Sequence, residues 1–179
     1  MAGMICLIYF FWPVDCSPAD HTPVAREFTL FDQYGRCYEI TYPQEKVCML
    51  VFADKWGCSQ VEGWVRPIYE RYKDAIMILG VANLANVPSW LQPTLINIFK
   101  LSIKYSIMMD WTGDVSKDYG YPGGKAFVVI VDRKGVIQER LMGRASVELI
   151  EKCCNIINAL RFTDPIITNL HDPRVTQAQ

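Results

Sequence analysis

The chain has 179 residues, 51% of them apolar and 21% charged, which is enough to bury one substantial core and too apolar for wholesale disorder. Lys and Arg number 18 against 19 Asp and Glu, a formal charge of −1. No basic run breaks that balance, so nucleic-acid binding is not expected. The two histidines, His21 and His171, stand near opposite ends, and a His-rich metal site is not expected either.

Residues 4–12 form an unbroken apolar stretch stopped by Pro13. At about 1.5 Å per residue it reaches less than half of a ~30 Å hydrocarbon core, so it is too short to span a membrane. Its length suits the apolar part of a secretory signal, with Ser17-Pro18-Ala19 offering small residues for cleavage, although no Lys or Arg precedes it. A misassigned start or a docking strand accounts for it equally well. A cleaved signal would imply a secreted or periplasmic protein, and its absence a cytoplasmic one. Residues 1–24 are therefore set apart from a domain at 25–160. Residues 161–179, with Pro165 and Pro173 and a polar finish, are read as an extension.

Within the domain, Phe28, Leu30 and the turn Phe31-Asp32-Gln33-Tyr34-Gly35 predict a hairpin returning through 38–41. Val47-Cys48-Met49-Leu50-Val51-Phe52-Ala53 is apolar without alternation, the pattern of a strand buried on both faces. Val61, Trp64, Val65, Ile68, Tyr69 and Tyr72 recur at helical spacing, and Pro67 inside that stripe predicts a kink. Residues 76–81 make a second buried strand. Ser89 is placed as the cap of a helix carrying Leu91, Leu95, Ile98 and Phe99, with Pro93 in its first turn. A short strand at Ile107-Met108-Met109 and a helical turn at 114–119 precede Gly120-Tyr121-Pro122-Gly123-Gly124. A strand at 126–131, the turn Asp132-Arg133-Lys134-Gly135 and its partner at 136–142 follow. Ser146 opens a last helix with Ile150, Cys153, Cys154 and Ile157 on one face. Two strand–helix–strand crossovers, then an antiparallel hairpin and a closing helix, predict one α/β domain with a mixed sheet covered on both faces.

That order resembles the thioredoxin-like fold, and specifically its redoxin branch of peroxiredoxins (AhpC/TSA-like) and tethered thioredoxin relatives. The resemblance is carried by Phe28-Thr29-Leu30-Phe31-Asp32-Gln33-Tyr34-Gly35, by Phe52-Ala53-Asp54-Lys55-Trp56, and by Phe127-Val128-Val129-Ile130-Val131-Asp132-Arg133-Lys134-Gly135. It implies a three-layer sandwich with helices on both faces of a central mixed sheet, an N-terminal hairpin, and thiol chemistry at the turn entering the first long helix. Free amide hydrogens at such a helix start favour a thiolate. The dithiol branch has Trp-Cys-x-x-Cys there, because a second thiol must release the mixed disulfide.

The aligned residues here are Trp56-Gly57-Cys58-Ser59-Gln60. Gly57 and Gln60 stand where the two cysteines would be, and Cys58 lies one residue inside the frame. The peroxidase branch needs a single cysteine, but also a proline and a Thr or Ser ahead of it; Lys55 and Val51 stand in those places. A distal arginine is also usual, and Arg66, Arg133 and Arg140 are available without any being assigned. The family's cis-proline position, three residues before Phe127, holds Gly124, with Pro122 two residues earlier.

Cys58 is the candidate catalytic thiol, set against a small residue in a degenerate turn. Cys37 is the candidate resolving partner. Cys48, Cys153 and Cys154 are assigned to the core. Glu62 and Asp54 are read as a helix N-terminal charge and a strand-end cap. Seven cysteines without C-x-x-C spacing fit neither a zinc site nor a dense disulfide framework, and neither metal nor cofactor is expected. The resemblance implies a redoxin-like, thiol-dependent oxidoreductase or antioxidant activity in redox homeostasis. It would reduce peroxide or disulfide through Cys58, with an external thiol or thioredoxin-like reductant. The alternative is a non-catalytic module that binds a protein partner through a groove of Trp56, Gly57, Ser59, Gln60, Pro122 and Gly124.

Overall fold

The computed structural model describes residues 23–162; the signal reading of the N-terminal segment and most of the C-terminal extension fall outside them. Seven strands and four helices follow in order: β1 (Phe28–Phe31), β2 (Cys37–Ile40), β3 (Cys48–Ala53), α1 (Cys58–Tyr72), β4 (Met77–Asn83), α2 (Gln92–Ser102), β5 (Ile107–Asp110), α3 (Asp114–Asp118), β6 (Phe127–Val131), β7 (Ile137–Met142) and α4 (Val147–Phe162). The hairpin β1–β2 stands as its own small sheet, and the others form a five-stranded sheet in the order β5-β4-β3-β6-β7. β3 pairs parallel with β4 and antiparallel with β6, so the sheet is mixed, as the element order predicts.

The unbroken apolar run of β3 is explained by its central place: all six residues are buried. Alternate side chains enter two cores. Val47, Met49 and Val51 join Trp64, Ile68 and Tyr72 of α1 and Cys153, Cys154 and Ile157 of α4. Cys48, Leu50 and Phe52 join Tyr119, Tyr121 and Phe127, with Phe28, Leu30 and Val115 packed against them. Helices α1 and α4 thus cover one face, and α3 with the hairpin covers the other. Each fully buried large side chain contributes about 1.5–3 kcal/mol. Helix α2 lies on the α1 side, because its Leu95 and Phe99 pack over Ala82 and Met109, and Ala82 is paired with Ala53 on that face.

Both margins of the large sheet are met by the segment that leads into and through the hairpin. Val24 bridges Val136, and Ile137 N–H donates to Pro23 C=O at 2.8 Å, beside β7. Asp32 bridges Met108 on β5. Buried Gln33 reinforces that contact: its Nε2 donates to Tyr105 C=O at 2.7 Å and its Oε1 accepts from Ile107 N–H at 2.8 Å.

Helix α1 runs through Pro67 as one 15-residue element. One local expectation is corrected. Ser89 does not cap α2; it opens a short 3-10 turn at Ser89–Leu91, and α2 starts at Gln92 beside Pro93, a residue pre-set for a helix's first turn. Arg161 and Phe162 belong to α4. Among the described residues, no helix is long and apolar enough to cross a membrane.

Candidate active site

The turn between β3 and α1 is organised by Asp54, the first residue past β3. Its Oδ1 accepts from Trp56 N–H and Gly57 N–H, each at 2.9 Å, and its Oδ2 accepts from Gly124 N–H at 2.7 Å. Its own N–H donates to the Tyr121 hydroxyl at 2.9 Å. One carboxylate therefore ties the active turn to the loop that precedes β6. Burial alone would raise the Asp54 pKa, but the Gly124, Gly57 and Trp56 amides and the Tyr121 hydroxyl together hold it below the usual carboxylate range. Burial and then the Asp54 charge push Tyr121 up to about 12. Tyr121 is held in turn by an aromatic cluster, with Phe52 at 6.2 Å and Phe127 at 6.0 Å between ring centroids.

Gly57 is the N-cap of α1 and is buried. A Cβ there would lie 2.5 Å from Lys125 C, 2.6 Å from Lys125 O and 2.8 Å from Ala126 N. The place of the first cysteine in the dithiol frame is thus closed by backbone. Gln60, at the place of the second, turns its Oε1 to accept from Ala126 N–H at 3.3 Å. Two features that sequence comparison reads as losses are contacts that join the helix start to the loop before β6.

Cys58 is the first residue of α1 and is exposed. Its Sγ donates to Lys55 C=O at 3.3 Å, a bond that only the protonated thiol makes. Its backbone N–H is spent on Asp54 C=O at 3.0 Å. The helix entrance carries an anion, and that anion is the Asp54 carboxylate, with no acid in the first turn of α1 itself. Lys55 places its ammonium 4.7 Å from the ring centroid of exposed Trp56.

Cys58, Trp56 and Pro122 line a cleft of about 720 Å³ that continues between the β3–β4 end of the sheet and α2. Its floor is Val51, Ala53, Gly80 and Ala82, and its far wall is Leu91, Leu95 and Phe99. Gly57, Ser59, Gln60 and Gly124 are not in the lining. Gly124 gives its amide to Asp54, and Ser59 is exposed on the first turn. The peptide before Pro122 is trans, since among the described residues only Tyr42–Pro43 is cis. Cys37 is a free, exposed thiol on the hairpin, across the sheet from α1, and the structure does not bring it to Cys58. Burial pushes Cys48 up to about 12, and burial followed by Cys154 pushes Cys153 up to about 12, as suits core residues. Arg66 is committed to Glu62, and Arg140 Nε donates to Tyr119 C=O. Among the described residues, no group of three His, Cys, Asp or Glu is placed to hold a metal.

The sequence pointed to a groove at Trp56 and Pro122 but not to its extension beneath α2, for which Gly80 was the available signal. A glycine inside a buried strand marks a site of close approach or open space.

No family model and no curated protein sequence matches the chain. Solved structures do. The lipoprotein thioredoxin Etrx1 of Streptococcus pneumoniae strain TIGR4 superposes with a TM-score of 0.60 at 17% identity, over 73% of this chain and 99% of that one. The Chlorobium tepidum protein assigned as the thiol:disulfide interchange protein DsbE gives 0.60 at 19%, over 76% and 95%. The fold is thioredoxin-like. StoA of Bacillus subtilis adds a TM-score of 0.55 at 18% identity, over 72% of this chain and 96% of that one. At these identities the thioredoxin-like architecture is what is shared, and the chemistry rests on this chain's own residues.

Proposed function

We propose that this thioredoxin-like protein carries out thiol–disulfide exchange through one sulfur, Cys58. The observation that supports this is the exposed thiol at the first residue of a long helix, on the rim of an apolar cleft. Cys58 gives up its proton to solvent, which breaks the bond to Lys55 C=O. The thiolate attacks one sulfur of an external disulfide, forming a Cys58 mixed disulfide and releasing the second sulfur as a thiolate that takes a proton. An external thiol then attacks the mixed disulfide, regenerating Cys58 and forming a new disulfide. Each cycle consumes one external thiol and one disulfide and returns one thiol and one new disulfide, so Cys58 is regenerated and the exchange carries no net change in redox state.

External resolution is required because Gly57 and Gln60 supply no second sulfur. Disulfide is favoured over peroxide as the oxidant because Arg66 pairs with Glu62 and Arg140 donates to Tyr119 C=O, and no arginine lines the cleft beside Cys58 among the described residues. The test is turnover of a glutathione–hydroxyethyl disulfide couple by the full chain, with mass spectrometry of the trapped adduct. An adduct on Cys58 and turnover abolished in Cys58→Ser are expected. Turnover no faster than that of free glutathione would remove the assignment.

A second reading, a binding module without turnover, is favoured by Asp54. Its carboxylate takes the Trp56 and Gly57 amides just ahead of the helix and locks the turn to Gly124, while the Cys58 sulfur is turned to Lys55 C=O. Under it, Cys58→Ser leaves partner binding intact.

A further inference from the structure

Helix α2 is amphipathic in sequence, yet none of its residues is buried. Leu95 and Phe99 face the sheet and remain half-buried, because the floor opposite them is built from residues with little or no side chain. Gly80 pairs with Val51 and Ile107 in mid-sheet, and its missing side chain would enter the cleft, where a Cβ meets Ile107 Cδ1 at 2.9 Å. Ala53 and Ala82 continue the same surface toward the mouth. The result is a cleft of about 720 Å³, within the range of small-molecule sites, with a mostly apolar lining that also includes Asp54, Lys55, Asn83, Asn86 and Tyr105.

The charges of that cleft are unequal. Asp54 lines it, but both of its oxygens are occupied by amide hydrogens. Glu62, whose charge bears on Tyr105 at the cleft wall, is tied to Arg66. Among the described residues lining the cleft, Lys55 is the one cation, and its ammonium is held at the mouth by the Trp56 ring.

We infer that the cleft is a binding site for an amphipathic monocarboxylate, with the apolar chain lying between α2 and Gly80 and the carboxylate paired with Lys55. This site does not depend on the thiol chemistry proposed for Cys58, and its test is made in the Cys58→Ser background, where that chemistry is absent.

The probes are octanoate, decanoate, dodecanoate and tetradecanoate, titrated into the full chain by calorimetry or by displacement of a fluorescent fatty acid. Affinity should rise about fourfold for each added methylene until the chain outgrows the cleft. Gly80→Val, which leaves a β-compatible residue in β4 and fills the floor, should weaken dodecanoate by about tenfold or more. Leu95→Trp, on half-exposed α2, should do the same should Gly80→Val disturb the sheet. Lys55→Gln should weaken every acid by about threefold and leave the matching alcohols unchanged. Absence of binding, affinity independent of chain length, or filled variants that bind as well as the parent would each overturn the inference. So would preference for an apolar peptide over every carboxylate. Activity failing in the disulfide assay while this binding persists would overturn only the redox proposal.

Discussion

Gly57→Ala tests the claim that the helix start is pressed against the loop before β6. The backbone at Gly57 is ordinary helical, φ −84° and ψ −20°, so alanine meets no torsional penalty. Replacing glycine there would by itself stabilise the chain by about 0.4–1 kcal/mol through the unfolded state. Against that, the new Cβ would sit 2.5, 2.6 and 2.8 Å from three backbone atoms of Lys125 and Ala126, none of which can rotate away. Overpacking of a tight contact costs about 1–3 kcal/mol, and backbone neighbours put this case at the upper end. Moving the loop also strains the Gln60 bond to Ala126 and the Asp54 bond to Gly124. The net expectation is a loss of about 2 kcal/mol. For a domain of this size that is a fall of roughly 6 °C in Tm. Thermal and urea unfolding followed by circular dichroism measure it. An unchanged or raised Tm would refute the close approach. It would also reopen the route to a dithiol, since Gly57→Cys with Gln60→Cys is expected to destabilise the protein rather than activate it.

Asp54→Asn should destabilise by about 1–3 kcal/mol at neutral pH, because an amide group cannot accept from both the turn and the Gly124 amide. The folded-state pKa of Asp54 is depressed, so its stabilisation is complete above the unfolded value of about 3.9 and is lost as pH falls through the lower folded value. The gap between wild type and variant, measured by urea unfolding, should therefore close in acid; a gap constant down to the acid limit would contradict the assignment. Gln33→Ala removes two part-buried bonds from the hairpin turn to Tyr105 and to Ile107 of β5 and should cost about 2 kcal/mol in chemical unfolding. A neutral result would mean the hairpin docks by apolar contact alone. In native maleimide labelling, Cys58 and Cys37 should react while Cys48, Cys153 and Cys154 wait for unfolding. Early modification of Cys153 would refute the packing of α4.

Much of the sheet was legible because burial writes itself into sequence. The runs at β3 and β6 lack alternation since both faces are covered, and the stripe from Val61 to Tyr72 has the helical period. What periodicity does not report is distance. The spacing of Leu95 and Phe99 says which side of α2 faces inward, not that a space remains beneath it. Ser89 misled because Pro93, four residues on, sets the helix start. At the turn, Asp54 was readable as a local cap, but Gly124 lies 70 residues away and only folding brings its amide to the carboxylate. Gly57 likewise looked like a missing cysteine until Lys125 and Ala126 were seen against it.

The stretch from Pro23 to Asp32 touches β7 at one end and β5 at the other, crossing beneath the sheet through Ala25, Phe28 and Leu30. Unpaired strand borders are templates for growth into polymers. A single girdle of chain therefore reaches both of them, and a proteolytic cut that freed it would bare the start of β7 and the Met108 position of β5 together.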